Sequence, residues 1–326
     1  MELVDSFGRR INYLRLSVTD RCNLRCRYCM PVEGVEKLTH GDILSYEELF
    51  RIARAAVAIG VEKIRITGGE PLVRKGIVPF LARLAALPGL RQLVLTTNGL
   101  LLPEMAAELR RAGVQRLNIS LDSLKPDTFR AITRTGDVTR VLAGIDAALA
   151  AGFPPPKINM VVMRGVNDDE VVEFARLTLD RPFTVRYIEY MPATREENWQ
   201  RLCIPAGEIL DRIATVYGLE PVEKGAMAGP SRDYRIRGAA GTIGVISAVS
   251  GHFCSECNRI RITSTGMAKS CLFSDEGLDL RPFLGAGGQT PLEDALRRLV
   301  GCKPERHGMD AEKAEHRAFS MAKVGG

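Results

Sequence analysis

A chain of 326 residues can bury one large α/β core or two smaller ones, and its make-up, 45% hydrophobic and 26% charged, is that of a folded protein rather than a disordered one. No apolar run reaches the ~18 residues that a membrane helix needs, and Met1-Glu2-Leu3-Val4-Asp5 lacks the basic-then-apolar pattern of a secretory signal, so a cytoplasmic protein with no membrane partner is expected. The net charge of +6 suits either a solvated basic surface or an anionic ligand, and only the placement of the charges decides between them.

Strand-like runs lie at Tyr13–Val18, Lys63–Thr67, Gln92–Thr97, Arg116–Ser120, Ile158–Val162 and Val185–Glu189. Each is apolar or β-branched and has a turn signal close behind it. Between the first two, Ser45 and Glu48 spell a capping box. Leu49, Ile52, Ala53, Ala56 and Val57 then share one apolar face, and Gly60 closes the helix. Pro103 opens a second helix that stops before Gly113, and a third spans Asp137–Ala151 ahead of Gly152. Six β-α units predict a parallel sheet. Six are too few to close an eight-stranded barrel, so an open, partial TIM-type barrel is expected, with a doubly wound sheet as the alternative. In both folds reactive groups gather at the C-terminal ends of the strands. From about Trp199 the alternation fades, and Gly225 to Pro230 reads as a loop. The expected division is residues 1–198 as the barrel and residues 199–326 as a smaller C-terminal region. A polar helix over Ala311–Ala322 and the run Val324-Gly325-Gly326 end the chain.

Six of the eight cysteines fall into two triplets, while Cys203 and Cys302 stand alone and read as structural or incidental. In a reducing compartment such groupings point to metal rather than disulfides. Cys22-x3-Cys26-x2-Cys29 offers three soft thiolates and no fourth, which suits a four-iron cluster with one open iron; a zinc site completed by His40 is the alternative. Cys254-x2-Cys257-x13-Cys271 repeats the pattern, with His252 near enough to complete a zinc site. Directly after Cys257 comes Asn258-Arg259-Ile260-Arg261. On an extended segment Arg259 and Arg261 project to the same side. Two neighbouring guanidiniums repel unless an anion sits between them, and a polyphosphate is the natural guest. The plain alternative is two solvated arginines on an edge strand.

The run Cys22-Asn-Leu-Arg-Cys26-Arg-Tyr28-Cys29 resembles the cluster motif of the radical S-adenosylmethionine (SAM) superfamily, and Thr67-Gly68-Gly69-Glu70-Pro71 resembles its glycine-rich motif. The resemblance implies a 4Fe-4S cluster on Cys22, Cys26 and Cys29 with SAM at its open iron. Tyr28, Gly69, Ser120 and Met191 would contact SAM, which is cleaved to methionine and a 5′-deoxyadenosyl radical. The second triplet and its Cys-Asn-Arg-Ile-Arg run carry the likeness further. With Asp5-Ser-Phe-Gly-Arg9, Leu14–Asp20, Asn118–Ser123 and the terminal Gly325-Gly326, nearly the whole chain resembles the GTP 3′,8-cyclase family of molybdenum cofactor synthesis.

That second resemblance implies another 4Fe-4S cluster, on Cys254, Cys257 and Cys271, whose open iron faces the guanine of GTP. It implies GTP contacts from Arg15, Arg65, Thr96, Lys157, Arg259, Ile260 and Arg261, and a part in catalysis for Arg15, Gly325 and Gly326. The implied reaction removes hydrogen from C3′ of GTP, joins C3′ to C8, and yields 3′,8-cyclo-7,8-dihydro-GTP. The implied partners are GTP, a reductant for the clusters, a second copy of the chain as a homodimer, and the cyclic pyranopterin monophosphate synthase that takes the product. Nucleic acid is not among them, because the cations converge on one barrel mouth and no aromatic residue flanks Arg259 or Arg261. The nearest rival is a two-cluster, peptide-modifying radical SAM enzyme, whose auxiliary domain typically carries more cysteines. Two departures stand out: Val324 occupies a position where the family commonly has isoleucine, and Ala193-Thr194-Arg195 follows Met191-Pro192 where glycine is frequent, which leaves the shape of that loop open.

Deleting Gly325 and Gly326 is expected to stop turnover while both clusters and GTP binding persist. Iron content and GTP affinity, measured beside activity, check this, and full activity would return the tail to the ordinary role of a disordered end.

Overall fold

The computed structural model describes residues 2–30, 38–39, 41–191, 199–223, 225, 229–251, 253–274, 276–285, 290–307 and 321. His40, Ala193-Thr194-Arg195, His252, the expected final helix apart from Met321, Val324, and the Gly325-Gly326 pair lie outside the described residues.

The first part of the chain alternates β1 (Tyr13–Ser17), α1 (Tyr46–Ala58), β2 (Lys63–Thr67), α2 (Ile77–Ala85), β3 (Gln92–Thr97), α3 (Leu102–Arg111), β4 (Arg116–Ser120), α4 (Pro126–Thr133), α5 (Val138–Ala150), β5 (Lys157–Val162), α6 (Val171–Asp180) and β6 (Thr184–Glu189). The expected strands are all present. β1 stops one residue early, at Ser17, and β5 and β6 begin one residue early, because backbone pairing rather than side-chain apolarity sets where a strand ends. The capping box forms: Ser45 Oγ accepts from the Glu48 N–H at 3.2 Å, and Glu48 Oε2 accepts from the Ser45 N–H at 2.7 Å.

Beyond this lie α7 (Ala206–Ala214), β7 (Leu219–Val222), β8 (Arg232–Ile236), β9 (Thr242–Ile246), β10 (Arg259–Ile262), β11 (Met267–Lys269), β12 (Leu278–Asp279) and α8 (Thr290–Gly301). All twelve strands join one sheet, in the order β12-β11-β10-β1-β2-β3-β4-β5-β6-β9-β8-β7. The first six strands neighbour one another in sequence order, which excludes a doubly wound sheet, where the order reverses at a switch point. The later chain then completes the same sheet. β10 pairs parallel with β1, and β9 pairs parallel with β6. Eight adjacent strands therefore run parallel, yet the barrel stays open, because β10 and β9 continue outward into the antiparallel strands β11 and β8 instead of pairing with each other.

The alternation along the strands explains both layers. Leu14, Leu16, Ile64, Ile66, Ile260 and Ile262 share one apolar core with Leu49, Ile52, Ala53 and Ala56 of α1. Each such fully buried Leu or Ile contributes about 1.5–3 kcal/mol. The intervening residues, Tyr13, Arg15, Arg65, Arg259 and Arg261 among them, face the barrel interior. A closed TIM barrel packs its interior with branched apolar side chains. Here the wall formed by β10, β1 and β2 is cationic and borders a cleft, so the interior is a chamber rather than a packed core. No described helix is long and apolar enough to cross a membrane.

Candidate active site

The loop after β1 carries Cys22, Cys26 and Cys29, and α4 clamps it. The Arg25 and Arg27 N–H groups donate to the carbonyls of Thr133 and Ile132 at 3.1 and 3.0 Å. Arg134, whose φ of +64° is the one left-handed non-glycine value among the described residues, donates to the carbonyls of Arg25 and Met30 at 2.8 and 3.0 Å. Burial pushes the Cys22 thiol up to about 11 and Cys29 up to about 12, with each other's charge adding to the rise at Cys29. Such thiols stay protonated unless a soft cation takes the proton's place. No three His, Cys, Asp or Glu side chains among the described residues gather closely enough for one metal ion.

Two further contacts shape this end. A Cβ on Gly69 would collide with the backbone carbonyls of Arg21 and Asp20, so only glycine lets the glycine-rich loop lie against the cysteine loop. The Tyr28 O–H donates to Asp122 Oδ2 at 2.8 Å, while Asp122 Oδ1 accepts from the Val161 N–H at 2.9 Å. Burial pushes Asp122 up to about 6, and these two hydrogen bonds hold it from rising further. Glu70, in turn, ties the β2 and β3 ends together by accepting from Thr97 Oγ1 at 2.9 Å and from the Asn98 N–H at 2.7 Å.

The second triplet stands at the other end of the barrel. Cys254 and Cys257 lie just before β10 and Cys271 just after β11, and β10 runs parallel to β1. The chain therefore reaches Cys254 and Cys257 at the N-terminal end of the parallel strands. The expectation that all reactive groups gather at the C-terminal ends holds for the first triplet and is corrected for the second. Five residues of β1, at ~3.3 Å each, span roughly 16 Å between the two ends. Burial alone would raise the Cys257 thiol, but the Arg259 and Lys303 cations outweigh it and bring the thiol down to about 6. Lys303 Nζ also donates to the carbonyls of Arg259 and Ser270 at 3.0 and 2.6 Å, holding the two cysteine segments together. Arg9, paired with Asp5 at 2.6 Å, donates to the carbonyls of Cys254 and Pro304, both at 2.7 Å, and of Glu305 at 3.0 Å.

A cleft of about 190 Å³ runs from Tyr28 of the first cysteine loop to Cys254, Cys257 and Cys271 of the second. Arg15, Tyr28, Arg65, Thr96, Ser120 and Met191 line it, as do Cys254, Cys257, Arg259, Arg261 and Cys271. Lys157 stands on β5 close to Arg186 and Asp233 rather than in the wall itself. Ile260 is the exception: its side chain is buried in the helix-side core, because alternate residues of a strand face opposite ways, so only its backbone is on offer. Lone Cys203 packs in an apolar cluster with Tyr190 and Trp199, and Cys302 is exposed.

The charges form a grid. Strand register sets Arg259, Tyr13 and Lys63 in one row, and Arg261, Arg15 and Arg65 in the next. Arg186 adds a cation from β6. Burial first, then the neighbouring cations, presses Lys63 down to about 8 and Lys157 to about 7. Burial works to raise the Tyr13 phenol, but Arg65, Arg15, Lys63 and Arg259 outweigh it and bring it to about 7. Tyr13, Lys63 and Arg186 were missed in the sequence, although strand alternation places them on the same face as Arg15 and Arg65. Arg9 and Lys303 carry no local signal at all. Although no aromatic residue is next to Arg259 in the chain, the fold sets the Phe253 ring 5.0 Å from its guanidinium.

An open parallel barrel with a Cys-x3-Cys-x2-Cys loop after its first strand is the architecture of radical SAM enzymes, and residues 16–178 match the Radical SAM superfamily. The fold is similar to that of Streptococcus suis SuiB, with a TM-score of 0.58 over 91% of this chain and 68% of that one at 15% identity. Residues 183–309 match Molybdenum Cofactor Synthesis C. The chain is 82% identical, over the full length of both, to the GTP 3′,8-cyclase of Geobacter sulfurreducens, and 48% identical, over 99% of both, to that of Moorella thermoacetica. It belongs to the GTP 3′,8-cyclase family, whose cofactors are SAM and two 4Fe-4S clusters.

Lys303→Met removes both carbonyl clamps and the charge that favours the Cys257 thiolate. Bound iron is expected to fall by about half, since outer contacts of this kind govern metal affinity. SAM binding is expected to stay unchanged, and iron analysis beside a SAM-binding assay checks both.

Proposed function

We propose that this chain cyclises GTP by joining C3′ to C8, with SAM at the first-triplet end of the cleft and GTP at the second. The observation that carries this reading is the grid of Arg259, Lys63, Arg261, Arg15 and Arg65 beside the second triplet. Like charges gathered in a low-dielectric interior repel strongly, and a polyanion relieves the repulsion. When bound, the clusters and SAM supply a 5′-deoxyadenosyl radical and an open iron to seat the guanine.

The chain's own residues position and enclose. Cys22, Cys26 and Cys29 hold the first cluster, and Tyr28, Gly69, Ser120 and Met191 face SAM. Cys254, Cys257 and Cys271 hold the second cluster. Arg15, Arg65, Lys157, Arg259 and Arg261 receive the triphosphate, with Ile260 contributing backbone only. Thr96, whose buried hydroxyl has no partner among the described residues, faces the same chamber and suits the nucleoside. Gly325 and Gly326 join Arg15 in supporting catalysis. Residues 1–198 thus form the barrel that carries the first cluster, and residues 199–326 the region that carries the second, with Arg15, Arg65, Thr96 and Lys157 of the barrel also reaching the substrate. Holding C3′ next to the radical source, with competing C–H bonds kept away, is a matter of proximity and exclusion. The product feeds molybdenum cofactor synthesis through the cyclic pyranopterin monophosphate synthase. The chain works in the cytoplasm with a reductant, as a homodimer.

Anaerobic turnover tests this directly. The reconstituted, reduced protein with SAM should form 5′-deoxyadenosine and a 3′,8-cyclised product with GTP and not with ATP; equal, slow 5′-deoxyadenosine formation with either nucleotide would place the substrate elsewhere. A second expectation concerns pH. Lys157 and Lys63, held down to about 7 and about 8, bind phosphate in their charged forms. GTP affinity should therefore fall as pH rises through this range, and binding at pH 8 should take up protons. Calorimetry in buffers of different ionisation heat measures both.

A further inference from the structure

The grid formed by β10, β1 and β2 has six inward positions, and one of them is not a cation. Tyr13 sits between Arg259 and Lys63, directly before Arg15 on the same face of β1. It is 1% exposed and lines the cleft. Three cations stand over its ring: Lys63 Nζ at 4.7 Å from the centroid, Arg65 Cζ at 5.4 Å and Arg15 Cζ at 6.0 Å. An aromatic face attracts cations and spaces them, so the ring keeps these charges assembled before any anion arrives.

A phenylalanine would serve that purpose equally well. The phenolic oxygen needs its own explanation. It is buried and makes no hydrogen bond of good geometry among the described residues. The groups around it are arginines and a lysine, which donate and cannot accept. The O–H proton therefore finds no acceptor among these neighbouring groups. Other tyrosines of this chain are satisfied: the buried Tyr187 donates to the Val171 carbonyl at 2.8 Å, and the half-buried Tyr28 donates to Asp122 at 2.8 Å. Buried donors without acceptors are rare, and one aimed into a ligand chamber calls for an acceptor brought by the ligand.

We infer that Tyr13 is a further substrate-binding residue whose O–H donates to a phosphate oxygen of the nucleotide while its ring holds Lys63, Arg65 and Arg15 at the spacing the triphosphate needs. The inference rests on the reading that the triphosphate occupies this chamber. An aspartate at the same position would neutralise the cations and repel phosphate; the tyrosine with its proton in place gathers them without competing for them.

Tyr13→Phe keeps the ring and removes only the O–H. In the reconstituted anaerobic protein with SAM, this variant is expected to bind GTP and inorganic tripolyphosphate more weakly by the same factor, roughly 10- to 100-fold, as the loss of one hydrogen bond to a charged acceptor implies. Iron content and SAM affinity should match the unaltered protein, and the rate at saturating GTP should be largely kept, so the effect falls on KM. Tyr13→Leu, which also removes the ring, should weaken tripolyphosphate further. Unchanged affinity of Tyr13→Phe for both ligands overturns the inference. Weakened GTP with unaltered tripolyphosphate also overturns it, because the O–H would then serve the nucleoside. Arg15→Ala and Arg259→Ala separate the two levels: if both leave tripolyphosphate binding unchanged, the phosphates lie elsewhere and the underlying reading fails. If both weaken it while Tyr13→Phe does not, only the role of Tyr13 falls.

Discussion

Repulsion among buried cations is the constraint around which this molecule is arranged. Arg65, Arg186, Arg259 and Arg261 are each less than a tenth exposed, and Arg15 and Lys63 stand in register with them. Charges removed from water at this density destabilise a fold unless something compensates. Two things do so here. On the opposite face of the same strands, Leu14, Leu16, Ile64, Ile66, Ile260 and Ile262 bury completely against the helices. Within the chamber, the Tyr13 ring gives Arg15, Lys63 and Arg65 a surface on which to rest, and the Phe253 ring does the same for Arg259. The strain that remains is available to a polyanion, so binding energy is stored in the fold before the substrate enters.

The second organising feature is the direction of β10. Because it runs parallel to β1, the loop that enters it and the loop that leaves β1 lie at opposite ends of the barrel. A single pairing thus decides that two cysteine segments, more than 220 residues apart in the chain, stand at opposite ends of the barrel, with Tyr28 of the first and Cys254, Cys257 and Cys271 of the second lining one cleft. Closing the barrel by pairing β9 with β10 would have sealed that cleft. The antiparallel strands β8 and β11 take those edges instead and keep the chamber accessible.

The two triplets also differ electrostatically. Burial pushes the thiols of Cys22 and Cys29 upward, in a setting where Asp122 adds negative charge. Cys257 is pulled down by Arg259 and Lys303. The same residue type is therefore governed by burial at one end and by neighbouring cations at the other.

Much of this was legible in the chain. Strand alternation, the Ser45–Glu48 capping box and the glycine stops are local, so the six β-α units could be read residue by residue, and the bounds of three strands needed no change. The two cysteine triplets and the Arg259-Ile260-Arg261 run were equally local, and their spacing already implied soft metal centres beside an anion. Local pattern could not show that residues after 199 complete the same sheet, because β9 and β10 pair with strands 58 and 246 positions away. Nor could it show that Ile260 turns from the cleft, that Arg9 and Lys303 clamp the second triplet, or that Tyr13 stands inside a cationic grid. Those facts depend on which strand lies beside which, and a sequence lists neighbours along the backbone while charge, burial and hydrogen bonding act between neighbours in space.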